Sequence, residues 1–274
     1  MTHDGAELCT NAIRIATLPP QLDEASGIAA SRVYSDIFWV HNDSEGSPAL
    51  YAVDRQGNLI AELDLNDAGS QFDWEDIATG PCPAGSCVYI GDIGDNLHDR
   101  EDRAVLRLPE PEPRTGPVGS VDRFPFRYPD GPRDAEALFV TADTTIFIIS
   151  KGRTGAVTLY RYPPPLRAGQ RVTLIPVQQL TPGLVQLPEL VTAAAATPDG
   201  RYVLVRSYAY LQLFRFDADS LAPVWPAPGF DLDGLGEPQG EGVEILADGT
   251  VYLVSETGPE DRPAPFSRLR CRIP

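Results

Sequence analysis

The chain has 274 residues, 42% of them apolar and 22% charged, which is enough for a sizeable core in one large or two small domains. Its formal net charge of −17 argues against nucleic acid as a partner, because phosphate binding needs a basic face. No stretch reaches the roughly 18 apolar residues of a membrane span, and no nucleophile elbow, P-loop or dinucleotide fingerprint occurs.

Short β-branched and aromatic runs bounded by turn residues predict an almost all-β chain. "AIRIATLP" comes first, followed by a four-strand unit, "EASGIAAS", "DIFWV", "ALYAVD" and "LIAELDL". The same order recurs in "DWEDIATG", "CVYIG", "AVLRLPEP" and "VDRFPFRYP". It recurs again in "DAEALFVT", "TIFIIS", "VTLYRYP" and "VTLIPVQQL", and then in "LVTAAAATPDG", "YVLVRS", "YLQLFRFD" and "PVWPAPGFDL". The last unit, "QGEGVEILADG", "TVYLVS" and "FSRLRCRIP", lacks a fourth strand of its own. Four antiparallel strands per repeat is the pattern of a β-propeller.

Aligning the first strands places Ser26, Glu75, Glu136, Thr192 and Glu241 at one position, spaced by 49, 61, 56 and 49 residues, with 59 more to close the circle. No interval holds a further blade of about 40 residues. The expectation is a single all-β, five-bladed propeller over residues 1–274, its ring closed by the N-terminal strand joining the C-terminal blade. A β-sandwich has no reason to repeat polar residues at one register.

Cys82 and Cys87 bracket the tight turn "CPAGSC", and Cys9 and Cys271 lie near opposite ends of the chain. With only three histidines, a thiolate–imidazole metal site is disfavoured. Two disulfides, 82–87 and 9–271, are expected; four buried thiols are the alternative. The N-terminus has no basic-then-apolar leader and Met1 is the only methionine, so the expectation is a secreted or periplasmic mature chain.

In a propeller the first strand of each blade lines the central channel, so the five aligned residues converge at its mouth. Glu75, Glu136 and Glu241 would repel one another there unless a cation sat among them. Their carboxylates with the hydroxyls of Ser26 and Thr192 form an oxygen set suited to Ca²⁺. The alternative is a set of salt bridges to Lys151 or Arg206. The ends of the second strands bring His41, Asp43, Asp92, Lys151, Arg206 and Glu256 to the same mouth. Lys151 and Arg206 suit an anionic group, while His41, Asp43, Asp92 and Glu256 offer general acids and bases. "DIGDN" reads either as a second calcium loop or as a hairpin-capping turn.

Ser-Glu-Glu-Thr-Glu, one residue per blade, resembles the central calcium ring of the apyrase-type calcium-activated nucleotidases, which are five-bladed propellers; Thr192 stands where that ring has serine. The motifs "DWEDIA", "GDIGDN" and "DAEAL" are also similar to those of a group of bacterial propellers. The resemblance implies bound calcium and, with the Lys/Arg pair, a calcium-dependent hydrolase of phosphomono-, di- or triesters. Such a protein would be a monomer acting on a small anionic or ester substrate, with no nucleic-acid or membrane partner. The alternatives are a non-catalytic, calcium-braced binding propeller and a lactonase or carboxylesterase using the same Lewis-acid logic.

Overall fold

Strands that read as continuous apolar runs are buried on both faces. In the computed structural model Trp39 packs between the first and second blades, while its neighbours Phe38 and Val40 pack between the first and the fifth. Leu204 likewise faces the fifth blade, and Val203 and Val205 face the third. Because side chains alternate along a strand, each sheet lends one set of residues to each of its two neighbours. Five apolar clusters result, one in every gap between adjacent blades. The structure describes residues 8–10, 12–44, 47–69, 73–97, 100–101, 103–183, 185–187, 189–258 and 262–274.

The sheets form a five-bladed β-propeller. The first blade comprises Ala25–Ala30, Ile37–Asn42, Ala49–Asp54 and Leu59–Asp64, and the second Trp74–Cys82, Gly85–Asp92, Ala104–Pro109 and Asp122–Arg127. Ala135–Val140, Ile146–Ser150, Thr158–Arg161 and Ile175–Gln179 build the third. Val191–Ala196, Tyr202–Ser207, Tyr210–Asp217 and Ser220–Pro223 build the fourth. In the fifth, Gln239–Ile245, Thr250–Glu256 and Pro265–Arg270 are completed by Ile13–Thr17, which pairs antiparallel with the last of them. The ring closes as the repeat predicts. No helix among the described residues is long and apolar enough to cross a membrane.

Two details differ from the expected strands. The fourth blade's outer edge is in two pieces: Ser220–Pro223 and, within the expected "PVWPAPGFDL" segment, Phe230–Asp231, each pairing antiparallel with Tyr210–Asp217. Ala218 and Asp219 both have positive φ, so the chain reverses in two residues as in a type I′ hairpin. The prolines that follow have no N–H for a ladder. In addition, Gly116–Pro117 and Val172–Thr173 lie parallel to the outer strands of the first and second blades, covering those edges.

Both expected disulfides are present, Cys9–Cys271 across the ring closure and Cys82–Cys87 in its hairpin. Main-chain bonds from Thr10 N to Arg270 O (2.8 Å) and Arg272 N to Leu8 O (2.9 Å) flank the first. It spans 262 residues, so removing it frees a very long loop in the unfolded chain. The Cys9→Ser/Cys271→Ser variant should lose about 3–5 kcal/mol in denaturant titration. The Cys82→Ser/Cys87→Ser variant, whose loop is short, should lose less.

Candidate metal centre at the mouth of the central channel

Each inner strand carries a register shift at the predicted ring position. The irregularities fall at 25/27, 74/77, 135/137, 191/193 and 240/243, so Ser26, Glu75, Glu136, Thr192 and Glu241 all sit in bulges. A bulged residue leaves the ladder and its side chain is re-aimed. All five are buried. The two hydroxyls stitch neighbouring blades: Ser26 Oγ donates to Glu75 O (2.5 Å) and Thr192 Oγ1 to Glu241 O (3.0 Å). Each keeps lone pairs, but neither hydroxyl proton is free.

The carboxylates gather on the side of the second and third blades. Oxygens of Glu75, Asp134 and Glu136 lie within 4.8 Å of one another, as do those of Asp43, Asp73 and Glu75. Glu75 belongs to both groups. Lys151 Nζ contacts Glu136 and stands 4.0 Å from Asp134 Oδ2. The Tyr208 ring lies 6.0 Å from the same ammonium. Glu241 comes from the fifth blade, and the charges of Glu136, Glu256 and Lys151 all act on it.

Burial and mutual repulsion push these acids up. Burial first, then Glu136, Asp43 and Asp73, raise Glu75 well above the carboxylate range, and Glu241 rises in the same way. Burial lifts Glu136 to about 7 against the pull of Lys151, and burial with Glu24 and Glu136 lifts Glu256 to about 7. Asp43, desolvated and facing Asp73, Glu136 and Glu256, reaches about 9. Burial opposes the Lys151 ammonium, yet Glu136 and Glu75 hold its pKa well above the ordinary value. The Lys151 ammonium, with the Arg100 guanidinium 4.0 Å from Asp73 Oδ2, is too little positive charge for so many carboxylates. Asp134 Oδ2 and Glu241 Oε2 are buried without a hydrogen-bond partner. An all-oxygen set with orphaned acceptors fits a hard divalent cation.

Asp73 and Asp134 were not among the predicted ligands, although the sequence carries a signal for them. Asp73-Trp-Glu75 and Asp134-Ala-Glu136 repeat one spacing, each aspartate directly preceding the inner strand that carries the ring glutamate. Gly94 closes over the cluster, for a Cβ there would lie 2.1 Å from Glu75 Oε1 and 2.5 Å from Asp73 Cγ. Asp76 accepts the N–H of Ile77 (2.9 Å), Leu138 (2.8 Å) and Ala194 (3.0 Å), tying the second, third and fourth blades together beside the carboxylate cluster.

Several second-strand residues have other partners. Arg206 is fully buried, and its guanidinium donates to Gly242 O (2.7 Å), Val254 O (3.1 Å) and the Glu237 carboxylate. It braces the fourth blade against the fifth and is not paired with Lys151 as an anion clamp. Arg206→Ala should therefore lower stability by about 3–5 kcal/mol, since Glu237 would stay buried without its counter-charge. A thermal melt that barely moves would contradict this placement.

Asp92 is held by Arg100 (2.6 Å) and Arg123 (3.1 Å), and Asp95 by Arg103. Asn96 Oδ1 accepts from Arg153 (2.8 Å). The "DIGDN" carboxylates are thus clamped by arginines rather than arranged as a second calcium loop. His41 is fully buried, its Nδ1 2.9 Å from Asn42 O and its ring edge-on to Trp74 at 5.7 Å. Burial lowers it to about 4, so at neutral pH the ring is uncharged and is not a cationic general acid. Asp43, Lys151 and Glu256 remain beside the carboxylate cluster.

No protein-family model matches the chain, and no curated protein matches it in sequence. Solved propellers do match in shape. A glucose dehydrogenase superposes with a TM-score of 0.55 at 14% identity, over 94% of this chain and 99% of that one. The PQQ-bound aldose sugar dehydrogenase of Streptomyces coelicolor gives 0.53 at 13%, over 95% and 98%. XC5397 of Xanthomonas campestris, a gluconolactonase, gives 0.50 at 12%, over 99% and 94%. At such identities the likeness is one of fold.

Proposed function

We propose that the chain is a calcium-dependent hydrolase of carboxylic esters or lactones, with its active site at the mouth of the central channel. The observation that carries this reading is the buried Glu75–Asp134–Glu136 group, an oxygen-only set with an orphaned acceptor and too few cations to neutralise it. The gluconolactonase among the structures of like fold favours the lactone branch. The engagement of Arg206 between blades removes the fork-shaped anion clamp on which a phosphoester reading relies. Two disulfides suit an exported protein.

Glu75, Asp134, Glu136 and Glu241 would hold the ion, with Asp73 beside them. Bound there, a divalent cation supplies Lewis-acid polarisation of a carbonyl and activation of a water. The chain's own contributions follow from its geometry. Lys151 keeps its proton and, through Glu136, fixes one carboxylate on the third-blade side. Glu256, with a pKa of about 7, is suited to accept a proton near neutrality and return it to a leaving alkoxide. Asp43, half-buried and raised to about 9, is a second proton carrier on the first-blade side. Gly94 packs its backbone against Glu75 and Asp73, leaving no room for a side chain there.

The test is a panel of γ- and δ-lactones, aryl acetates and aryl phosphates, assayed with Ca²⁺ or with chelator. Lactone or ester turnover that chelator abolishes is the expected outcome. Turnover of phosphates alone would overturn the assignment. Calcium binding without any hydrolysis would instead favour a non-catalytic binding propeller.

A further inference from the structure

A cavity of about 600 Å³ opens between the third and fourth blades, at the strand ends that also carry the carboxylate cluster. Val157, Val185, Val205, Phe214 and Trp225 make its walls mostly apolar. Turns at the ends of the outer strands, residues 180–181 and 223–228, rim it. Two residues on its wall carry buried polar atoms without a hydrogen-bond partner, Arg206 Nε and Gln212 Oε1.

Two residues on the cavity's inner wall are chain neighbours of site residues. Val191 on its inner wall donates its N–H to Lys151 O (3.1 Å) and directly precedes the ring residue Thr192. Ser207, also on the wall, directly precedes Tyr208, whose ring is 6.0 Å from Lys151 Nζ. Lys151 Nζ in turn contacts Glu136 of the cluster. An apolar slot therefore begins one residue away from a strongly acidic centre. A ligand filling both has a polar, oxygen-bearing head and an apolar tail.

Resting on the hydrolase reading, we infer that this cavity is the acyl- or alkyl-chain subsite, and that the substrate is a lactone or ester bearing a hydrocarbon chain. The chain lies against Val157, Val205 and Trp225, while the carbonyl reaches the carboxylate cluster past Tyr208. A 600 Å³ cavity falls within the size range of small-molecule sites.

Two experiments on the calcium-loaded protein separate this inference from the hydrolase reading. The first needs no catalysis. An alkyl-substituted γ-lactam, an amide that resists hydrolysis, is titrated while tryptophan emission is followed. A saturable change is expected with a hexyl chain, absent with the unsubstituted lactam and absent in Trp225→Phe. Ala227→Trp, an exposed position on the cavity rim, should weaken that binding at least tenfold while the melting temperature stays within a few degrees. No binding of the hexyl lactam would overturn the inference, whatever the enzyme hydrolyses.

The second compares kcat/KM for γ-lactones with and without the hexyl chain. At least a tenfold preference for the longer substrate is expected, collapsing towards one in Ala227→Trp. Equal rates on both would overturn the chain subsite and leave the hydrolase intact. Failure to turn over any lactone or ester, with the lactam still bound at the cavity, would overturn the hydrolase reading and the substrate assignment with it, and leave only the binding of a hydrocarbon chain at the cavity.

Discussion

Glu75→Gln should abolish lactone or ester turnover and at the same time make the chelator-treated protein more stable. Glu75 is shared by both carboxylate groups, and burial and three neighbouring acids all act against its charge. Neutralising it removes an unfavourable buried charge, so the melting temperature in chelator at pH 8 should rise. It also removes the donor common to both groups, and calcium affinity should fall by at least about a hundredfold. Turnover should fall by about 10²–10³-fold or more, as when a preorganised transition-state contact is lost. Calcium titration by calorimetry, thermal melts and initial rates read the three effects. A purely structural glutamate would lose stability on substitution, so a variant that melts lower and still binds calcium tightly would remove the metal centre from the account.

The second large effect is a linkage between pH, calcium and stability. Glu136 and Glu256 titrate at about 7 and Asp43 at about 9, all above the ordinary carboxylate range. The native state therefore binds more protons than the unfolded chain between about pH 4.5 and 9. Stability in chelator falls as pH rises through that window, because the slope follows the unfolded-minus-native proton count, which is negative here. Calcium must displace those protons, so its affinity rises with pH and its binding releases protons into the buffer. At a hundred times its dissociation constant calcium adds about 2.7 kcal/mol, or about 5–10 °C of melting temperature for a chain of this size. The calcium-induced shift should be larger at pH 8 than at pH 5. Melts in chelator that are flat across this range, or a calcium shift larger at pH 5, would contradict the carboxylate cluster as the binding site.

The resemblance to calcium-ring propellers centres the site on five axial residues, whereas the structure draws the carboxylates to one side. Ser26 and Thr192 occupy the expected register, but each hydroxyl is bonded to the next blade's main chain. Asp73 and Asp134 instead bring their carboxylates beside Glu75 and Glu136. Their D-x-E spacing is legible at the head of each inner strand. That the second and third blades bring the two spacings together depends on interblade packing, which no local window contains.

The second strands teach the same lesson for cations. Lys151 and Arg206 end equivalent strands, and sequence makes them a pair. Yet a long side chain at a strand end can turn to the axis or to the next blade. Arg206 meets Glu237 and two carbonyls of the fifth blade, while Lys151 finds Glu136 on its own inner strand. Asp92 and Asp95 look free in "GDIGDN" because their arginine partners lie 8 to 31 residues further along the chain.

The sequence by itself determined the blade count, the strand order within each blade, the N-terminal closure and the disulfide pairing. The blade count, strand order and closure follow from period-two patterning, turn residues and repeat length, which are local or additive along the chain, and the 9–271 disulfide follows from that closure. Only the tertiary structure decided which carboxylates share one ion, which cations brace blades, and that an apolar slot opens beside the acidic mouth. Those facts rest on contacts between blades, where burial and the nearest opposite charge determine the partner.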